Sequence, residues 1–207
     1  KRMLGYSSTE HVGIAAMAVS LLAGGLAYRR GERLGMLLAG AAFIAGLVAV
    51  GIPYQWLRLG RRLPPIHDVT TDLENPPTFV AVVPLRADAP NSLDRPVSLA
   101  EQQRQGYPDL APVTMAAPSD QAFDRALAAA QDLGWVIVTA DKSTGRIEAT
   151  DTTRWFGFKD DIVVRLTPWG SGTRVDVRSV SRIGVGDTGT NARRIRRYLE
   201  QLATGSR

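Results

Sequence analysis

Hydrophobic residues are concentrated in the first quarter of the chain, where two long apolar runs stand close together. The runs cover residues 12–28 and 34–54, and a short turn with Arg29, Arg30 and Arg33 separates them. A helix needs about 20 apolar residues, at about 1.5 Å rise per residue, to cross the hydrocarbon core of a bilayer. The pattern therefore predicts a hairpin of two transmembrane helices within residues 1–60. It favours a retained anchor over a cleaved signal peptide, because a second span follows the first at once.

Small side chains recur at four-residue spacing along both predicted spans. They are Ala16, Ser20 and Gly24 on the first span, and Ala42 and Gly46 on the second. Small residues let helix backbones approach closely in lipid, where no hydrophobic effect drives apolar helices together. These faces either pack the two helices of the hairpin against each other or dock the helices of a partner, and the sequence leaves both interpretations open.

Residues 61–117 are rich in proline and in polar side chains. Proline fixes φ and lacks a backbone N–H, so the pairs Pro64-Pro65 and Pro76-Pro77 argue against a long helix. Apolar residues such as Ile66 recur too often for a disordered spacer. We expect an extended segment that packs on the following domain, with short turns and one strand near residues 79–83.

Residues 118–207 show the periodicities of an α-β-β-β-β-α domain. A helix is expected to begin at Ser119 as its cap, carry one apolar stripe and end at Gly134. Four strands follow, at residues 135–140, 146–152, 161–167 and 173–181, and short Gly-containing turns join them in two hairpins. The last helix begins near Asp187 or Thr188 and runs to about Ala203. Its apolar stripe is Ala192, Ile195, Leu199 and Leu202, and Arg193, Arg194, Arg196 and Arg197 cover the rest.

This order of elements predicts the α+β class. A two-helix transmembrane hairpin precedes a soluble antiparallel sheet of about four strands, flanked by two helices that pack on one face.

Side-chain alternation along the predicted strands places charged residues together on the other face of the sheet. They are Glu148, Arg165, Asp176 and Arg178, which suggests a cross-strand charge network. One interpretation is a site for a small anion or a polar headgroup at Arg165, Arg178 and Arg182. The alternative is a solvated sheet face with ordinary ion pairs, each worth about 0–1 kcal/mol.

Three aromatic residues, Trp155, Phe156 and Phe158, stand between two predicted strands and are flanked by charges. Such a loop is either a hydrophobic plug over the sheet edge or an exposed contact for a protein or a membrane. The sequence slightly favours the plug.

The amino-acid composition excludes several classes of ligand and catalytic site. The net charge of +5 does not indicate a nucleic-acid-binding protein, because the arginines are spread along the chain and acidic residues accompany them. The absence of cysteine excludes disulfides, thiolate catalysis and cysteine-ligated zinc. No spacing of ligands predicts a metal site, no motif predicts a cofactor, and no catalytic set is evident. A hydrolase that uses Asp160 and Asp161 is a minor alternative, since adjacent residues of a strand point to opposite faces.

Two long runs carry a resemblance to a known family. GWVIVTADKSTGRIEATDTTRWFGFKDDIVVRL and RVDVRSVSRIGVGDTGTNARRIRRYLEQL are similar to the bacterial and plastid proteins grouped as the domain of unknown function DUF1499, and PPIHDVTTDLENPP and GYPDLAP match its upstream part. The resemblance implies no catalytic residues. Its motif positions mark where a site would lie: Asp151, Trp155, Phe158, Asp160, Asp161, Asp176, Arg178, Ser179, Ser181, Arg182, Gly184 and Asn191.

Orientation in the membrane rests on two opposing observations. Three basic residues lie on the turn (Arg29, Arg30, Arg33) against five on the other side (Lys1, Arg2, Arg58, Arg61, Arg62), and this count favours a cytoplasmic domain. Many proteins of the resembled family carry export signals or membrane anchors, which favours a periplasmic domain on the inner membrane of a bacterium.

The sequence thus predicts a membrane-anchored, non-catalytic accessory or scaffolding subunit of a larger membrane protein complex. Its expected partners are the lipid bilayer and other membrane subunits. A binding domain for an anionic small molecule or lipid headgroup is the first alternative, and an uncharacterised hydrolase is the second.

Overall fold

The computed structural model describes residues 4–60, 63–154 and 156–204. The chain divides into two compact units, one within residues 1–62 and the other within residues 63–207.

The first unit is a hairpin of two long helices, α1 (Leu4–Arg30) and α2 (Arg33–Gly60). Gly31 has φ +69° at the turn, and the N–H of Glu32 donates to the carbonyl of Ala27. Within these helices, His11–Arg30 and Arg33–Ile52 are each long and apolar enough to cross a membrane.

The interface of the hairpin is built from small side chains. Ser20 and Ala27 on α1 and Ala39 on α2 are buried. A Cβ added to Gly46 would lie 3.1 Å from the carbonyl oxygen of Gly13, so the two backbones approach closely there. Of the five small residues that the sequence singles out, Ser20, Gly24 and Gly46 contact the facing helix or are buried in this interface, whereas Ala16 and Ala42 are exposed.

The second unit contains one antiparallel sheet of six strands. They are β1 (Asp68–Thr70), β2 (Val113–Met115), β3 (Val136–Asp141), β4 (Arg146–Thr152), β5 (Lys159–Trp169) and β6 (Gly172–Ser181). The strand order is β1-β6-β5-β4-β3, and β2 also pairs with β6. The predicted class and antiparallel sheet are confirmed. The expected count of about four strands is too low, because β1 and β2 have three residues each and show no alternation in the sequence.

Two helices cover one face of the sheet and enclose the main core. They are α4 (Ser119–Asp132) and α5 (Thr190–Thr204), which pack over a strand face that includes Ile162 and Val177. A shorter helix, α3 (Ser98–Gly106), belongs to the segment that the sequence predicted as extended.

Two of the expected helix starts are wrong in detail. Ser119 does not cap α4, since the cap position is Pro118 and the Oγ of Ser119 accepts from Oγ1 of Thr173. Helix α5 starts at Thr190, because the carboxylate of Asp187 precedes it and accepts the N–H groups of Gly189 and Asn191. Gly134, with φ +78°, follows α4 as expected.

The other face of the sheet is covered by residues 71–97. Phe79 and Val82 pack there against Val163 and Val180 in a second, smaller core. The strand expected near residues 79–83 does not form. The chain turns instead into a 3-10 helix (Val83–Arg86).

Candidate functional site

The outer face of strands β4, β5 and β6, opposite to α4 and α5, carries most of the charged residues of the sheet. We call it the covered face, because residues 71–97 lie over it. The expectation of a solvated face is wrong: Glu148, Asp161 and Asp176 are each fully buried.

Asp161 occupies one end of the covered face between two arginines. Its carboxylate accepts from Nε and Nη2 of Arg182 at 2.9 and 2.8 Å, from Oγ1 of Thr150 at 2.7 Å, and from Nη1 of Arg86. Burial alone would raise the pKa of Asp161. The hydrogen bonds from Arg182, Thr150 and Arg86 together outweigh burial and hold this pKa below its ordinary value.

Arg178 lies further along the same face and pairs with Asp68 at the start of the sheet domain. Its Nε and Nη2 donate to the two carboxylate oxygens of Asp68 at 3.1 and 2.8 Å. The guanidinium also lies 5.3 Å from the ring centroid of Phe79. Arg95 contacts the same carboxylate at 2.8 Å. Burial lowers the pKa of Arg95, although Asp68 opposes the effect.

The third group lies at the more open end. Nη2 of Arg165 is 3.0 Å from both Asp72 and Asp176, and Nη2 of Arg174 is 2.8 Å from Asp72. These arginines are part-exposed, whereas Asp176 is buried. Arg165 and Asp176 are therefore paired across neighbouring strands, as the predicted network requires.

Glu148 does not join this network. Its two carboxylate oxygens accept the backbone N–H groups of Val80 and Val82 at 2.8 and 2.9 Å. The side chain ties the covering segment to the sheet, and this explains why residues 79–83 do not pair as a strand.

The three predicted anion-binding arginines thus lie on one face but do not converge. Arg165, Arg178 and Arg182 each face a different carboxylate, namely Asp72 and Asp176, Asp68, and Asp161. In this arrangement each arginine is paired with a carboxylate and helps to hold the covering segment in place, and among the described residues only the Nε of Arg165 in this group is buried without a hydrogen-bond partner. The sequence does not predict that Arg86 and Arg95 contact this face, because they lie in a segment without periodicity.

A second polar cluster lies on the helix face of the sheet, between the strands and α5. Arg194 is buried at its centre and donates to Asp151 at 2.8 Å and to Asp160 at 2.6 Å. Asn191 accepts from Arg194 at 2.7 Å and from Ser179 at 2.6 Å. Arg194 was expected to cover the exposed side of the helix, and this expectation is wrong. The sequence feature that could have indicated its buried position is Asn191, which lies one turn earlier on the same side of α5.

Asp160 and Asp161 point to opposite faces, as alternation along a strand requires. Asp160 pairs with Arg194 on the helix face, and Asp161 pairs with Arg86 and Arg182 on the covered face. The two carboxylates therefore do not share a site.

The aromatic loop between β4 and β5 is exposed. Phe156 is 77% exposed and Phe158 is 50% exposed, and their rings stack with centroids 5.7 Å apart. The interpretation as a plug over the sheet edge is wrong for both residues. Trp155, which the sequence placed in the same cluster, lies outside the described residues.

A groove of about 420 Å³ lies between β2, α4 and α5. Polar and apolar surface line it about equally: Met115, Leu199 and Leu202 are among its apolar residues, and Arg125 of α4 also lines it. The Nε of Arg125 is buried without a hydrogen-bond partner among the described residues. A guanidinium with a free Nε, next to apolar side chains, is a suitable contact for the head of an anionic amphiphile.

A known protein family matches most of the second unit. Residues 68–202 match the family described as "Protein of unknown function (DUF1499)". The matched range begins at β1 and ends within α5, so it contains the covered face, the Arg194 cluster, the aromatic loop and most of the groove. A search of curated proteins finds no match.

Proposed function

The chain belongs to the DUF1499 family, and we propose that it is a membrane-anchored, non-catalytic accessory or scaffolding subunit that associates with a larger membrane protein complex. The observation that carries this proposal is the outer surface of the helical hairpin. Apolar side chains such as Leu22, Leu37 and Ile44 are more than half exposed there. Exposed apolar surface of this extent on two long helices suits lipid and the helices of other membrane proteins.

The two sides of the hairpin differ in the size of their side chains. At about 100° per residue, Ala16 and Ala42 each lie about 60° from the interface in the same rotational sense. In an antiparallel pair this places both on one side of the hairpin, together with Ala23 and Ala49. The corresponding positions on the opposite side are large: Leu21, Met36, Phe43 and Leu47. A side lined by alanine lets the backbone of another helix approach closely, so we assign the partner to that side.

The sheet domain supports a scaffolding role through the state of its charges. The buried carboxylates of Asp68, Asp160 and Asp161 each accept from arginine. Groups held in this way stabilise the fold and have little freedom to transfer protons.

A substitution on the alanine side tests the proposal in native membranes. Ala42→Phe places a large ring on that side, and Ile44→Phe places the same ring about 200° around the helix, away from it. Co-purification of membrane subunits after gentle solubilisation should be lost in Ala42→Phe and retained in Ile44→Phe. Equal retention in both variants would refute the assignment of the partner to this side.

For location, we propose the inner membrane of a bacterium, with the sheet domain in the periplasm. The resemblance to proteins with export signals supports this side, and the count of basic residues opposes it. An alkaline phosphatase fused after Arg207 should be active in intact cells, because the enzyme folds only in an oxidising compartment. An inactive phosphatase, together with a fluorescent cytoplasmic reporter at the same position, would place the domain in the cytoplasm.

The groove at Arg125 favours a second candidate function, the binding of an anionic amphiphile. Its volume of about 420 Å³ lies within the usual range for small-molecule sites, about 300–1,000 Å³. Octanoate should raise the melting temperature of the full chain in nanodiscs, and Arg125→Gln should abolish the shift. Arg197→Gln removes an equal charge from an exposed position of α5 and should leave the shift intact. Equal responses of the two variants would reject this function.

A further inference from the structure

One edge of the sheet collects the features of a membrane contact. Strand β4 ends at Thr152, β5 begins at Lys159 and β6 ends at Ser181. Asp160 lies opposite Asp151 of β4 and opposite Ser181 of β6 in the strand register. The aromatic loop and the loop that follows β6 therefore leave the sheet at the same end of these three strands, which forms one edge of the domain. We call it the tethered edge, because the segment that connects the sheet domain to α2 is attached there.

The chain enters the sheet domain at this edge. His67 accepts the N–H of Ser181 through its carbonyl, at 2.9 Å, and Ile66 accepts the N–H of Asp187 at 3.3 Å. Residues 63–67 are thereby fixed beside the end of β6. Only residues 61 and 62 separate them from Gly60, the last residue of α2. The chain therefore passes from the second helix of the hairpin to this edge of the sheet domain through only two intervening residues.

The side chains exposed at the tethered edge are large and apolar. Phe156 and Phe158 come from the aromatic loop, and Ile183 and Val185 come from the loop after β6. Val185 is 79% exposed and Ile183 is 57% exposed. Four such residues lie on two loops that leave the sheet where the chain enters the domain, and water solvates exposed apolar side chains poorly.

Basic residues accompany this apolar zone. Lys159 is exposed at the start of β5, and Arg58, Arg61 and Arg62 stand in the sequence at the end of α2 and just after it. Cations near a bilayer surface are attracted by anionic headgroups, and aromatic side chains are favoured in the interfacial layer.

We propose that the tethered edge docks on the bilayer, with Phe156, Phe158, Ile183 and Val185 in the interfacial layer of the lipid. Two loops of the sheet domain then contact the lipid, in addition to the covalent connection of the domain to the hairpin. The occupant of this surface is lipid, because the same edge that exposes the apolar residues is attached to the membrane helices. The inference rests on the proposed anchoring of the hairpin in the membrane.

The absence of cysteine permits a clean labelling experiment on the full chain. Single substitutions Phe156→Cys, Val185→Cys, Ser171→Cys and Ile44→Cys each receive one small fluorophore. Ser171 is exposed in the turn at the opposite end of β5, about 30 Å away at about 3.3 Å per residue. Ile44 is an exposed residue of α2 and reports insertion of the hairpin. The variants are reconstituted without other proteins into vesicles of phosphatidylcholine and phosphatidylglycerol, with or without lipids that carry a nitroxide quencher.

Labels at positions 156 and 185 should lose fluorescence several-fold with the nitroxide lipids, whereas the label at 171 should be unaffected. Loss at position 44 without loss at 156 and 185 would overturn the docking of the edge and leave the anchor intact. Labels at 156 and 185 that are shielded from both water and lipid would overturn it as well, because they would show a protein contact. No loss at position 44 would refute the anchor itself, and the inference with it.

Discussion

Asp161 and Arg182 form a bidentate ion pair across the end of strands β5 and β6, with both nitrogen–oxygen distances below 3 Å. The carboxylate is fully buried and also contacts Arg86 of the covering segment. One acidic residue thus joins the sheet to the segment that the sequence leaves without regular structure.

Replacing Asp161 should destabilise the domain strongly. Asp161→Asn leaves Arg86 and Arg182 without their counter-charge, and breaking a buried ion pair costs about 3–5 kcal/mol. Asp124→Asn is the matched control, because Asp124 pairs with Lys142 at 2.8 Å on the surface, with 67% of the aspartate side chain exposed. The control should cost less than about 1 kcal/mol. Denaturant unfolding of the full chain in detergent measures both, and similar losses would contradict a structural role of the pair.

The stability of the domain should fall in acid partly through the same carboxylate. The pKa of Asp161 is lower in the folded protein than its ordinary value of 3.8, so the folded state binds this proton less readily than the unfolded state. The stabilisation is present above the ordinary pKa and is lost as the pH falls through the folded pKa. Melting temperatures between about pH 5 and about pH 2 should fall less steeply in Asp161→Asn than in the parent. Parallel curves would show that Asp161 does not contribute.

Glu148 should control the attachment of the covering segment. Glu148→Gln replaces one acceptor oxygen by an NH₂ group, which faces a backbone N–H of Val80 or Val82 and leaves it unsatisfied. An unpaired buried donor costs about 1–3 kcal/mol. Hydrogen exchange should accelerate at residues 79–86 and change little in α4. Uniform acceleration over the domain would indicate a global loss of stability instead.

Gly145 and Gly170 provide a test of the two hairpin turns. Both have positive φ, +62° and +58°. A Cβ at Gly145 would lie 2.3 Å from the carbonyl oxygen of Leu166, whereas a Cβ at Gly170 has nothing within 4 Å. Gly170→Ala should cost about 1–2 kcal/mol for the left-handed backbone alone. Gly145→Ala should cost more, because the steric clash adds to this strain. Equal melting temperatures of the two variants would contradict the close approach at Gly145.

The elements that the sequence predicts well are long and strictly periodic. Helix α4 and strands β4 and β6 appear close to the expected bounds, because the pattern of each covers several turns or alternations. Strands β1 and β2 pair only with β6, a partner more than fifty residues away in the chain. No local pattern carries that information, so the expected strand count was too low.

The sequence predicts only part of the charged face, because side-chain alternation is a local signal and several partners of these charges are distant in the chain. Alternation places Arg165, Asp176 and Arg178 on one face, and Arg165 does pair with Asp176. The carboxylate that faces Arg178 is Asp68, which lies 110 residues earlier in the chain. Burial of the face depends on the covering segment, whose path is set by contacts such as Glu148 with Val82 rather than by periodicity.

The central claim, that the hairpin binds other membrane subunits, is tested most directly by the native mass of the full chain after gentle solubilisation from its own membrane. Native mass spectrometry should show a discrete particle, heavier than the 22.4 kDa chain, that contains further membrane polypeptides in fixed ratio. The Ala42→Phe variant should fall to the mass of the chain alone. A parent protein that is found alone, as a monomer or as copies of itself, would contradict the account.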